Sequence, residues 1–429
     1  MHRKRCQEKI LSLYFKHRYT KVNSTKEVSR LKAVGVIVEY NPFHNGHLHH
    51  AQQARAESGA DLVIAVMSGQ FLQRGEPAFA DKWTRTQMAL DAGIDLVIEL
   101  PYIYATAQAS DFAKGGIALL DAIGCSSFCF GSEQGSIAPF LNSRQLLTER
   151  GAEYQHLIHE AVQTGISYPK ALNNAYLSLT GSRTEFADLT QPNNILGFHY
   201  LEAAQNLGSS MKPLTIQRIG ANYHDPIRAG LPIASATGIR EAFFKGESVD
   251  ELSAYMPESS ILSLKKMEKD YGTFGSWEQF YPLLRFTILR EGPDNLKRFA
   301  EITEGIENLI YQSAKTANDF ESFISLVKSK RFTRTRIQRM LTHIYTGFTW
   351  QLLRSFDAPS YIRLLGMSAA GRSYLNETKK NIKLPLVSRA ADLNDEMGKL
   401  DIHATAMYLQ GMGSADLKKE FTTPPIYRG

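Results

Sequence analysis

Cysteine is scarce in this chain, and what there is does not pair. Of 429 residues three are cysteines, Cys6, Cys125 and Cys129, an odd count without the paired spacing that a zinc site needs, so reduced thiols around a strand are expected and not a disulfide scaffold. Long apolar runs are missing too: nothing reaches the roughly 18 uncharged apolar residues of a membrane-spanning helix. The basic N-terminus has no apolar stretch ending in a small-residue cleavage site, so no secretory signal is read; a cytoplasmic location, away from membranes, is expected. Neither repeats nor low-complexity tracts occur. What remains is an ordinary globular composition, 43% apolar, on a chain long enough for two or three domains.

Acidic residues are sparse in two stretches. Residues 1–32 hold ten Lys and Arg against Glu8 and Glu27, and residues 328–389 hold thirteen against Asp357 and Glu377, while the whole chain carries only +6. The rest is therefore acidic, and the later block predicts a basic C-terminal surface able to hold a polyanion.

Hydrophobic periodicity sets the organisation. After the basic, polar residues 1–30, read as a disordered extension outside the fold, Lys32–Glu39 is an apolar run of the kind found in fully buried parallel strands. Asp61–Met67, Asp95–Leu100 and Ser127–Phe130 repeat that pattern, with helical spacing over His47–Ser58, Asp81–Ala92 and Ala107–Ile123 between them. Strand and helix alternating at this length predict an α/β fold, a Rossmann-like parallel sheet with helices on both faces. Pro213–Ile219 is expected to add a strand after a helical insertion at about 137–208. The expected domains are 31–240, built on this sheet, and 241–429, mainly α-helical.

The first strand runs into Glu39-Tyr40-Asn41-Pro42-Phe43-His44-Asn45-Gly46-His47, and a helix follows at once. Ligands of parallel sheets collect at the carboxyl ends of strands, and a helix N-terminus offers free amides to a phosphate. Gly46 lets the backbone approach a nucleotide, while His44 and His47, three residues apart, can face the same anion. Histidine pairs are often plain core or surface chemistry; the position directly after a buried strand is what points to a site. Four histidines within seven residues, His44, His47, His49 and His50, could also ligate zinc, but no carboxylate or Cys partner at helical spacing accompanies them, and no metal ligand set is read. Gln73, Arg74, Lys82 and Arg85 follow the second strand at the same sheet edge and are candidates to hold a small carboxylate.

His44-Asn45-Gly46-His47 after a buried strand resembles the signature of the HIGH-type nucleotidyltransferases, and Ser235-Ala236-Thr237-Gly238-Ile239-Arg240 is similar to their second, phosphate-gripping turn. Five segments together resemble the tRNA(Met) cytidine acetate ligases: Val38–His47, Met67–Pro77, Asp95–Pro101, Phe130–Glu133 and Pro192–Gly197. The similarity runs from about Leu31 to the C-terminus, which favours an extended gene start over a functional arm at 1–30.

That resemblance implies an enzyme that makes acetyl-adenylate from acetate and ATP and transfers the acetyl group to N4 of the wobble cytidine of elongator tRNA(Met), without acetyl-CoA. It implies His44 and His47 as catalytic. It also implies an ATP site of Ile37, Val38, Glu39, Tyr40, Asn41, Pro42, Phe43, His44, Asn45, Gly46, His47, Leu48, His49, His50, Gly131, Asn193, Arg218 and Ile219. Ser235, Thr237 and Arg240 are expected on the leaving phosphates, with Mg2+ accompanying ATP. Lys330, Arg331, Arg334, Arg336 and Arg339, interleaved with Phe332, are expected to bind tRNA phosphates. Two other readings use parts of the same sequence: a nucleotidyltransferase adenylylating a phosphorylated cofactor precursor leaves the basic block without a role, and a non-catalytic RNA-binding protein makes both histidines structural.

Overall fold

The computed structural model describes residues 31–166, 168–181, 183–219, 233–329 and 331–429, so the expected extension at 1–30 lies outside the described residues. Lys32–Gly429 forms one compact unit. Five parallel strands, β1 (Ala33–Val38), β2 (Leu62–Ser68), β3 (Leu96–Leu100), β4 (Ser127–Ser132) and β5 (Lys212–Gln217), lie in the order β5-β4-β1-β2-β3. Helices α1 (Asn45–Ser58), α2 (Lys82–Asp91) and α3 (Ala109–Ile123) follow the first three strands, as the periodicity predicts. β2 and β3 are buried at every position, which is why, apart from Ser68 and Glu99, their sequences are apolar instead of alternating. A β carbon on Gly35 would meet Leu120 at 2.4 Å and one on Gly116 would meet Ile37 at 2.6 Å, so these two glycines let α3 close onto β1.

Four helices, α4 (Ala138–Glu149), α5 (Gly151–Gln163), α6 (Tyr168–Thr180) and α7 (Pro192–Leu207), lie between β4 and β5. The second half is helical over α8 (Ala236–Phe244), α9 (Glu258–Tyr271), α10 (Trp277–Leu296), α11 (Ile306–Thr316), α12 (Phe320–Val327) and α13 (Arg334–Thr346), and again over α14 (Ala369–Thr378) and α15 (Glu396–Gly411). It also contributes strands that the periodicity does not reveal. β6 (Ile362–Ser368) runs antiparallel beside β3, and β7 (Leu386–Val387) and β8 (Ile426–Arg428) pair with β6 in parallel. The sheet therefore continues past residue 240, where a domain boundary is expected from the sequence. Arg363 breaks the apolar run of β6, and its buried guanidinium is matched by Glu420 at 3.2 Å; two- and three-residue strands carry no period to read.

The chain passes from β1 to β2 and β3 on one side, then crosses to β4 and β5 on the other. The carboxyl ends of β1 and β4 thus flank the switch in winding direction, where an open α/β sheet forms its crevice. Arg85, wholly buried, fixes this edge by donating to four carbonyls: Ala80 (2.8 Å), Glu39 (2.7 Å), Ser68 (3.0 Å) and Gly69.

Candidate active site

The chain leaves β1 through Tyr40, whose φ of 52° lies in the left-handed region that an aromatic residue seldom occupies. Asn41 holds the turn by accepting the Phe79 N–H at 2.7 Å. His44 then caps α1: its backbone is extended and its Nδ1 accepts the Gly46 N–H at 3.0 Å, while Nδ1 of His47 accepts the His44 N–H at 3.3 Å. This is a capping box built from two imidazoles. A β carbon on Gly46 would lie 2.8 Å from the His44 ring, so the cap requires glycine there. With both Nδ1 atoms accepting, the proton of each neutral ring sits on Nε2, and the pair presents two N–H donors. The rings lie 3.8 Å apart between centroids. Burial, then Arg218 and Arg240, lowers His44 to about 3, and burial with His44, Arg218 and His50 as neighbours holds His47 well below the usual histidine range. These are neutral donors, not cations.

They open on a cavity of about 430 Å³ at the carboxyl ends of β1 and β4. Ile37, Val38, Glu39, Tyr40, Asn41, His44, Gly46, His47, His49 and His50 line one side; Gly131, Asn193, Arg218 and Ile219 line another; Ser235, Thr237 and Arg240 complete the wall. The structure thus brings together seventeen of the expected nucleotide and phosphate positions. Pro42, Phe43, Asn45 and Leu48 are not in the wall: Phe43 is fully buried behind it, and the Asn45 amide donates to the Ala254 carbonyl at 3.1 Å.

The far wall is prepared in detail. A β carbon on Gly131 would meet the Arg218 side chain at 3.2 Å, so the glycine makes room for that arginine. Asn193 donates Nδ2 to Glu133 at 2.6 Å, which leaves its side-chain oxygen as the group it can offer a ligand. Glu133, which the sequence pattern does not single out, also accepts the Asn194 N–H at 3.0 Å and so caps α7. Ser235 caps α8 by accepting the Gly238 N–H at 3.0 Å, and the buried Thr237 hydroxyl has no partner among the described residues. Arg240 donates to the Asn41 carbonyl at 2.8 Å and lies 3.4 Å from Glu76. His50 is lowered to about 4 by burial and Arg218, and its Nε2 is likewise unpartnered among the described residues.

Two of the four candidate carboxylate holders are ruled out by their surroundings. Lys82 and Arg85 are wholly buried and engaged elsewhere, whereas Gln73 and Arg74 line the cavity. The basic block is sorted just as sharply. Lys330 lies outside the described residues, Arg331 is exposed, and Arg334 and Arg336 sit in the first turn of α13, whose Thr335 reaches the cavity wall. Arg339 is corrected: it is buried and grips Glu301 through two 2.8 Å bonds, so it has no donor fork to offer a phosphate. Phe332 is buried under Arg336 and is not a base-stacking platform. Among the described residues no helix is long and apolar enough to cross a membrane.

Comparison with known proteins gives this geometry a family. The HIGH Nucleotidyl Transferase family matches residues 31–421. A tRNA(Met) cytidine acetate ligase of Lysinibacillus sphaericus (strain C3-41) is 57% identical over 401 residues, 92% of this chain and 100% of that protein. The Bacillus subtilis (strain 168) protein of the same name is 42% identical over 386 residues, 88% of this chain and 92% of its own length. The crystal structure of Thermotoga maritima TmcAL bound with alpha-thio ATP matches with a TM-score of 0.83 at 33% identity, covering 93% of this chain and 100% of that one. With its histidine capping box, its crevice at the switch in the sheet and these relatives along nearly all of its described length, the chain belongs to the HIGH nucleotidyl transferases and, among them, to the tRNA(Met) cytidine acetate ligase family.

Proposed function

We propose that this chain joins acetate to ATP, forming acetyl-adenylate and pyrophosphate, and then passes the acetyl group to N4 of the wobble cytidine in elongator tRNA(Met), in the cytoplasm and without acetyl-CoA. One observation carries the reading: two neutral imidazoles, locked as Nε2–H donors at a helix N-terminus, face a cavity that also holds Arg218, Arg240 and a Thr237 hydroxyl without a partner among the described residues. Negative charge grows on the α-phosphate as the acetate oxygen attacks it. Donors already oriented and already neutral stabilise that charge without losing a proton, each by about 3 kcal/mol. Thr237 and the Ser235-capped start of α8 take the departing β and γ phosphates, with Arg240 beside them. The other expected wall residues, Asn193 and Arg218 foremost, hold the nucleotide.

Acetate is held at the loop that carries Gln73 and Arg74. Magnesium accompanies the triphosphate; Glu39 and Glu76 are the two carboxylates in the described wall, so the ion's shell is supplied mainly by phosphate oxygens and water. Residues 241–429 supply the tRNA surface, with Arg331, Arg334 and Arg336 placing phosphates next to the cavity mouth. The test is acetate-dependent exchange of labelled pyrophosphate into ATP, followed by formation of acetylated cytidine on unmodified elongator tRNA(Met). Exchange is expected with acetate alone; its absence with and without tRNA sinks the proposal, and transfer from acetyl-CoA without ATP contradicts it.

A further inference from the structure

The second half of that reaction needs a proton acceptor, because the N4 amine becomes acidic as it attacks the acyl carbon. The two signature histidines cannot serve: their Nδ1 lone pairs are taken by the Gly46 and His44 amides, and their Nε2 atoms carry protons. Glu76, one of the two wall carboxylates, is engaged by Gln338 at 3.3 Å and Arg240 at 3.4 Å. His50 is drawn to the backbone at Cys129 in β4, on the opposite side of β1 from the loop after β2.

Glu39 is different. It sits at the carboxyl end of β1, one step before the strained Tyr40, and its side chain lines the cavity. The Gln73 N–H binds its Oε1 at 2.8 Å, and Gln73 is itself tied to the Ala107 carbonyl at 2.8 Å, so the carboxyl is clamped to the loop that carries Gln73 and Arg74. Its second oxygen has no hydrogen-bond partner among the described residues. Resting on the function proposed above, we infer that Glu39 is the general base of acetyl transfer: N4 bonds to the acyl carbon, the acyl–phosphate oxygen bond breaks, AMP departs, and the N4 proton passes to the second carboxylate oxygen of Glu39. Burial pushes this carboxyl above the usual range, against the pull of the Gln73 amide and Arg74, which moves it toward the basicity that proton abstraction near neutrality requires. Facing it are Arg74 and Glu76 from the loop after β2, Arg240 from α8, Arg85 from α2 and Tyr200 from α7.

The experiment separates the half-reactions in the full chain. Acetate-dependent pyrophosphate exchange reports adenylation, and single-turnover transfer from preformed acetyl-adenylate to unmodified tRNA(Met) reports the second step. Glu39→Gln is expected to lower the ratio of transfer to exchange by about 100-fold or more. Glu39→Asp is expected to restore part of it. In the unaltered chain the transfer rate should climb with pH through a single step and level off, and the step should be gone in Glu39→Gln. Parallel loss of both half-reactions, or a pH step that survives in Glu39→Gln, overturns the assignment. Missing exchange in the unaltered chain overturns both this role and the function it rests on, so the two failures are distinguishable.

Discussion

Beneath α2 the ammonium of Lys82, wholly buried, lies 2.8 Å from both oxygens of Glu99 and 2.6 Å from Glu420, with Arg363 on the far side of Glu420. At the cavity, His44 is buried and His47, His50 and Thr237 are half-buried, and all four line an open space. Two cations and two carboxylates cancel in the first region, and Asp401 beside it is pushed to about 8 by burial and by Glu99, which keeps it neutral at ordinary pH. Among the described residues the second region is not balanced in this way: Arg74, Arg218 and Arg240 meet only Glu39 and Glu76 in the wall, a surplus that suits a polyanion. Paired buried charge is architecture; unpaired buried polarity at a sheet's switch point is a binding site.

The largest effect should come from breaking the paired region. Lys82→Met leaves Glu99 buried without its cation and Glu420 with Arg363 alone, and about 3–5 kcal/mol of stability should be lost. Arg339→Ala strands Glu301 in the same way and should cost a similar amount. Denaturant midpoints of the purified chains measure both. A loss under about 1 kcal/mol for either would show that water reaches the pair.

In the unpaired region the cost should appear in rate, not stability. His47→Ala removes one Nε2–H donor and should raise the adenylation barrier by about 3 kcal/mol, a fall of roughly 100-fold in pyrophosphate exchange. tRNA binding should persist in this variant. If binding and exchange decline together, the histidine is holding the fold.

A smaller effect separates cap from donor. His44→Asn keeps an acceptor for the Gly46 amide, since Asn is a strong N-cap, but removes the ring that titrates. Folded His44 lies at about 3, whereas an unfolded histidine lies near 6.5, so the unfolded chain binds the extra proton between those values. This contribution is complete above about pH 6.5 and is lost as the pH falls toward 3, at about 1.4 kcal/mol per pH unit. Stability measured against pH should therefore fall less steeply on acidification in His44→Asn than in the unaltered chain. Equal slopes would mean that His44 is protonated in the fold.

The paired and unpaired regions are not equally legible in the sequence. β1 to β5, the three helices that follow the first strands and the histidine loop can all be read, because the buried strands β1 to β4 leave mainly apolar runs and Gly46 marks a close approach. What cannot be read is long-range partnership. Lys82 and Arg85 look like any long polar side chains at a ligand edge, and only their bonds to Glu420, some 340 residues on, or to four backbone carbonyls show that they are spent. Arg339 misleads for the same reason: Glu301 meets it from outside the basic run. Glu133 and the resulting orientation of Asn193 depend on two segments about 60 residues apart. Net charge over residues 328–389 overstates the basic surface because ion pairing is invisible to a count.

The smallest effect tests the cations that pairing leaves at the surface. Arg334 is bound by Glu321, with one bond of 2.8 Å, and Arg336 donates to Thr303 at 2.9 Å with Glu304 at 3.8 Å. Both pairs are partly solvated, so breaking them should change stability by at most about 1 kcal/mol. Such pairs are weak enough to be exchanged for a phosphate, which Arg339 in its buried fork is not. Replacing Arg334 and Arg336 together with Ala should leave acetate-dependent exchange near its original rate and weaken tRNA binding uniformly. The slope of log affinity against log salt should become shallower by about 2, one for each phosphate that no longer meets an arginine. An unchanged slope would move the tRNA path off the first turn of α13 and leave Thr335 at the cavity wall without an electrostatic reason to be there.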